Sequence, residues 1–161
     1  VDLLQRAVTR FLSSLMGRTL AKGESERAIA LIGVADDLES IGDVVVRDLL
    51  RLAGKKIRLG QDFSPEGLGE LRAYHARVAA LLADTLGAFD REDREASLGC
   101  LARARDAIAD EALLRRSHIA RLSQGLSESQ ESSAIHLDVL HCLRQIAARL
   151  EDLNRTVLGR T

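Results

Sequence analysis

Aromatic side chains are scarce in this chain. Tryptophan is absent, and three phenylalanines and one tyrosine bring the aromatic share to only 2%. A core must therefore be filled by aliphatic residues. Proline occurs once, at Pro65, so long stretches can stay helical without a break. Charge of one sign is lacking too. The 23 basic and 24 acidic residues are interspersed and the formal net charge is −1, which excludes binding driven by neutralising the phosphates of nucleic acid. The two cysteines, Cys100 and Cys142, lie far apart with no CxxC, which points to free, partly buried thiols in a reducing compartment. No apolar run approaches the roughly 20 residues that span a bilayer, and no signal peptide is visible.

What the sequence does have is a 46% hydrophobic share rich in Leu and Ala, alongside abundant Arg and Glu. These are strong helix formers. The spacing predicts five helices. The first covers about 2–21, with Leu3, Leu4, Ala7, Val8, Phe11, Leu12 and Leu15 on one face and Gly23 as its stop. The second covers about 24–53, with an unbroken alternation of three and four steps along Ala28, Leu31, Ala35, Leu38, Gly42, Val45, Leu49 and Leu52. Gly42 on that seam implies close approach by another backbone. Gly54 is the expected end, and 55–63 reads as a loop.

Ser64-Pro65-Glu66 is a helix start with cap, N1 proline and first-turn acid. The third helix is expected to reach Phe89, with Leu71, Val78, Leu82, Leu86 and Phe89 inward. The fourth follows "DREDRE" to about Gln124, with Leu101, Ile108, Ala112, Ile119 and Leu122 inward and Gly125 as its stop. Ser127 and Gln130 fit a capping box for the fifth. Its seam is Val139, Leu143, Ile146, Leu150, Leu153 and Val157, ending near Gly159. No segment has the period of a β-strand. An all-α antiparallel bundle follows. "DDLESIGDVVVRDLL" and "HCLRQIAARLEDLN" form a weak internal repeat.

Within the second helix, Asp36, Glu39 and Asp43 fall at i, i+3 and i+7, at the edge of the apolar face. Glu39 and Asp43 stand one above the other, within reach of a single hard cation. Arg47, four residues past Asp43, offers the ordinary alternative of an ion pair. Asp106 and Asp110 make a second acid pair, "DAIAD". Facing the first across the bundle, the two would form a larger metal site. His136 extends the last seam backwards and reads as a core-edge or capping histidine before a ligand. Asp138 and His141 make a DxxH, but no ExxH exists, which argues against a di-iron oxidase bundle. No GxSxG, GxxxxGKS or GxGxxG motif is present, so no enzymatic nucleophile or nucleotide loop is expected.

Two stretches carry a family resemblance. "LESIGDVVV", Leu38–Val46, resembles the E-x-x-x-D segment of PhoU domains, with Ser40 where arginine is common. Leu113–Leu150, which contains "RRSHIARL" and "SSAIHLDVL", is similar to the C-terminal cytoplasmic PhoU-like region of bacterial Na/Pi-cotransporter proteins. The resemblance implies a pair of three-helix units with the first helix truncated: a partial first unit at 1–54 and a second at 64–159. It also implies a divalent or ferric metal ion at Glu39 and Asp43. The repeat places Arg144 and Ala148 at the corresponding positions of the second unit, which has lost that motif.

By the same resemblance the function is a non-catalytic regulatory domain of a sodium-dependent phosphate transporter, on the cytoplasmic side of the cell membrane. Its partner would be the transmembrane portion of the same chain, or a transporter or sensor kinase in trans, with a homodimer as another state. A stand-alone PhoU-type phosphate-signalling regulator is the alternative.

Overall fold

The structure is a computed structural model that describes residues 1–17, 21–60, 62–124 and 127–159, with the side chains of Lys22 and residues 127–131 excepted. Every element among the described residues is helical. Helix α1 covers Asp2–Met16, α2 Lys22–Asp43, α3 Leu50–Leu59, α4 Pro65–Asp90, α5 Arg94–Ser123 and α6 Ser127–Leu158. A π-helical turn, Val44–Leu49, joins α2 to α3 without a break in direction, so the architecture is five rods. The all-α bundle expected from the sequence is what forms.

Helix ends follow local chemistry. Ser64 Oγ accepts from the Gly67 N–H at 3.2 Å and opens α4. Asp93 Oδ1 accepts from the Ala96 N–H at 2.9 Å and opens α5. Two predicted stops are wrong. Gly23 lies in the first turn of α2, whose start is fixed by the Ala21 N–H donating to Glu24 Oε2 at 3.0 Å. Gly54 lies inside α3, and the helix runs on to Leu59, so most of the expected loop 55–63 is helix. The stop is Gly60, at φ 58°, a left-handed value that costs glycine little. Gly125 and the side chains of the Ser127–Gln130 box lie outside the described residues.

Helix α6 is the axis. Helices α2, α3, α4 and α5 and the π turn all pack against it, whereas among the described residues α1 packs chiefly on α2. The main core joins Leu71, Tyr74, Val78 and Leu81 of α4, Cys100, Ala104 and Ala107 of α5, and Leu140 to Leu150 of α6. Cys100 and Cys142 are buried free thiols, as expected. The α6 seam is buried from Leu143 to Val157.

Other seams need correction. On α5 the inward line is Ser97, Cys100, Ala104, Ala107, Glu111 and His118, a line of small and polar residues, while Ile119 is exposed. On α4 the line passes through Leu81, Thr85 and Ala88, and Leu86 faces outward. On α2 the π turn breaks the predicted alternation. The Leu50 N–H reaches back to Val45 O, the wide ring turns Val45 out to solvent, and Leu52 returns to the core. The first-helix face is largely open: Leu12 is its one buried residue, and Leu3 is 84% exposed.

Candidate functional site

The acid stripe of α2 is split by its neighbours. Asp36 accepts from Gln5 Nε2 of α1 at 2.6 Å. Glu39 and Asp43 stay together, half-buried, and are joined by Asp2 from the first turn of α1. One carboxylate oxygen from each of the three lies within 4.8 Å of the others. Gly42 allows this meeting. A Cβ there would stand 3.1 Å from Cγ2 of Val1, so the Val1 side chain would have to give way slightly. Where Gly42 predicted another backbone, the neighbour is the side chain of Val1, and Asp2 beside it in the chain is the third carboxylate. Sequence reasoning missed Asp2, because its place depends on how two helices cross. Arg47 pairs with Asp43 at 2.7 Å, as the spacing allowed. Three hard oxygen donors at the edge of a fold suit a divalent cation of the calcium or magnesium type, and Arg47 offsets part of the charge without one.

Asp37, also missed, turns to the other side of α2. It pairs with Arg149 of α6 at 3.6 Å. Burial raises its carboxyl pKa, as do Asp152 and Asp36, while Arg149 opposes them. Asp106 and Asp110 lie elsewhere. Asp110 pairs with Arg77 of α4 at 3.0 Å, and both line a shallow alanine-rich groove between α4 and α5. Among the described residues Asp106 and Asp110 join no donor cluster with Glu39 and Asp43. The two acid pairs therefore do not meet, and the second is an α4–α5 surface feature.

A second polar group lies inside the bundle. Glu70 of α4 accepts from Arg121 of α5 at 2.9 and 2.7 Å and from Ser117 at 2.9 Å. His118 Nε2 is 2.9 Å from Ser133 Oγ, and its ring stacks on that of His136 with centroids 4.2 Å apart. Phe63 presents its edge to His136. Burial pushes the His136 pKa down to about 4, helped by the neighbouring His118 and Arg121 and opposed by Glu70. His118 is lowered as well, by burial first and then by Arg121. Burial alone would raise the Glu70 carboxyl, but the bonds from Arg121 and Ser117 hold it below its usual value. His136, expected at the core edge, is fully internal. Among the described residues these side chains form no convergent set of three metal donors; Asp2, Glu39 and Asp43 do.

No protein-family model matches the chain. Among curated proteins it is 30% identical over 149 residues to the "Putative inorganic phosphate export protein YjbB" of Salmonella typhimurium. The protein of the same name from Escherichia coli K12 is 28% identical over 149 residues, and so is that from Shigella flexneri. Each match covers 91% of this chain and 27% of the relative, so the chain spans about a quarter of the length of these proteins. Among solved structures, PhoU from Pseudomonas aeruginosa superposes with a TM-score of 0.89 at 19% identity, covering 99% of this chain and 75% of that one. Superposition over nearly the whole chain fixes the architecture: the chain has the helical-bundle fold of PhoU.

Proposed function

We propose that the chain is a non-catalytic regulatory domain governing phosphate movement across the cell membrane. It acts from the cytoplasmic side on a transporter portion of the same longer protein. The observation that carries this reading is a coincidence of two matches: the PhoU fold over 99% of the chain, and proteins named for inorganic phosphate export over 91% of it. Those relatives extend well beyond the matched region, and that remainder is the natural place for a transport path. Sodium coupling of that path, implied by the resemblance of Leu113–Leu150, belongs to the proposal. So does the role of Asp2, Glu39 and Asp43: a divalent or ferric ion held between them would tie α1 to α2 and couple ion supply to the shape of the domain.

A second reading is a separate regulator acting in trans on a transporter or sensor kinase. The TM-score of 0.89 with PhoU favours it. One experiment separates the two. Residues 1–161 are removed from the native reading frame, and radiolabelled phosphate movement is followed in membrane vesicles at low and high phosphate. Transport that persists but no longer responds to phosphate supports a regulatory domain in cis. Restored response on adding the 161-residue chain separately supports action in trans. A rate and a response both unchanged by the deletion overturn the regulatory reading.

A further inference from the structure

Helix α3 carries its apolar residues on the wrong side for a bundle helix. Leu52 alone is buried, against α6 and its neighbours. Leu50 is 61% exposed and Ile57 is 79% exposed. Seven residues separate them, nearly two full turns at about 100° per residue, so they stand in line, with the exposed Ala53 between them. Val46, 62% exposed in the π turn, extends the same outward face. A solvent-facing apolar line of this length is not an ordinary scatter of surface residues.

The flank of that line is basic. Residues 44–59 hold five basic side chains, Arg47, Arg51, Lys55, Lys56 and Arg58, against one acid, Asp48, in a chain whose net charge is −1. Arg47 is engaged by Asp43 at 2.7 Å and Lys56 by Asp62 at 3.0 Å. Arg51 keeps only a 3.9 Å approach to Asp48. On the helix wheel Arg51, Lys55 and Arg58 fall together, roughly 80–160° from Leu50 and Ile57. The result is an exposed apolar ridge with a positive shoulder.

We infer that the outer face of the π turn and α3, with Leu50 and Ile57 as its apolar ridge and Arg51, Lys55 and Arg58 as its basic shoulder, docks on an anionic phospholipid surface. A helix that lies in the membrane interface needs an apolar face to enter the headgroup–acyl boundary and cations beside it to meet lipid phosphates. Both are present here on solvent-facing positions of a folded helix. No helix among the described residues is long and apolar enough to cross a bilayer, so this is contact with the surface and not insertion. A second copy of the chain in a two-fold dimer would bring the same positive shoulders together, like charge on like. The inference does not depend on the phosphate reading.

The test is co-sedimentation of the 161-residue chain with vesicles of phosphatidylglycerol and phosphatidylcholine, against pure phosphatidylcholine. Binding is expected to the anionic vesicles and to fall as salt rises from about 50 to 500 mM, because exposed charges are then screened. Leu50→Ser with Ile57→Ser is expected to weaken binding at least about tenfold with an unchanged circular-dichroism spectrum, since neither side chain is in the core. Arg51→Glu with Lys55→Glu and Arg58→Glu should weaken it similarly. Equal binding to neutral vesicles, or binding untouched by both variants, overturns the inference. So does light scattering that finds a dimer which the Leu50/Ile57 variant dissociates, because the ridge would then be the seat of a second copy.

Discussion

The α1–α2 layer and the α4–α5–α6 bundle handle their polar groups in opposite ways. In the bundle, Glu70, Arg121 and Ser117 bond one another and His118 meets Ser133, at mostly half-buried positions, with Arg121 Nε and His136 Nε2 left without a partner among the described residues. In the layer, Asp2, Glu39 and Asp43 are like charges brought together at an edge, with one arginine among them. Self-satisfied polar groups contribute structure. Uncompensated donors at an accessible edge leave valences for something outside the protein. The contrast sets a stabilising polar group against the site proposed above for an ion, and substitutions can break it.

The largest effect should come from Glu70→Leu. Arg121 is mostly buried and would lose its carboxylate partner, at a cost of about 3 kcal/mol. For a chain of this size that lowers Tm by roughly 6–12 °C, read by differential scanning calorimetry. Adding Arg121→Leu should recover most of the loss, because the unpaired charge is then gone. A loss below about 1 kcal/mol in the single variant would place the pair on the surface.

Acid titration comes next. The His136 pKa in the folded chain is about 4, below the ordinary 6.5, so the unfolded chain binds the proton more readily. The neutral ring therefore contributes stability that is fully present above pH 6.5 and is lost as pH falls towards 4. Glu70, also lowered, works in the same direction at the acid end. A drop on the order of 2–3 kcal/mol between pH 7 and 4.5 is expected from urea unfolding curves. His136→Leu should flatten that slope even where it lowers stability overall. A slope unchanged in His136→Leu would mean that this ring is not the titrating group.

The contrast was only half legible in the sequence. Aliphatic periodicity located five rods and the whole α6 seam, because Leu143, Ile146, Leu150, Leu153 and Val157 are large and regularly spaced. The α5 seam escaped because its contact line is Ser97, Cys100, Ala104 and Ala107, and small residues are what let two long helices approach closely. Gly54 misled because a glycine inside a helix costs only about 1 kcal/mol relative to alanine, which the burial of Leu52 and the run to Gly60 outweigh. Glu39 and Asp43 could be found by spacing, which operates within one helix. Asp2 and the Glu70–Arg121 pair could not, since each depends on a crossing between helices. Gly42 was the one local sign that such a crossing lay beside the acids.

A smaller effect sharpens the comparison from the packing side. Leu12 is the only buried residue of α1, and among the described residues that helix packs chiefly on α2. Leu12→Ala should cost about 1–2 kcal/mol, below the roughly 3–4 expected for Leu150→Ala in the fully enclosed α6. Hydrogen exchange should show the difference directly: α1 amides opening well before those of α6 in the wild-type chain, and earlier still in Leu12→Ala. Equal protection of the two helices would show that α1 is held by more than its contact with α2.

The smallest effect, and the most telling, belongs to the acid site. In chelator, Glu39→Gln with Asp43→Asn should change stability by no more than about 0.5 kcal/mol. The substitutions relieve repulsion among three carboxylates but give up the partly exposed Asp43–Arg47 pair, whose arginine lies in solvent and which is worth little. Metal changes the balance. An ion that binds only the folded chain adds about 2.7 kcal/mol at a concentration 100 times its Kd, so manganese or magnesium should raise the wild-type Tm while leaving the variant where it was. Asp106→Asn with Asp110→Asn is the matched control. That pair faces Arg77 on the other side of the bundle and should keep the full metal response. A response lost in the control and kept in the Glu39/Asp43 variant would move the ion to the α4–α5 groove. Because the metal-free effect is small, a lost response cannot be put down to a damaged fold, and the three carboxylates would then be a binding site in a layer that needs none of them to stand.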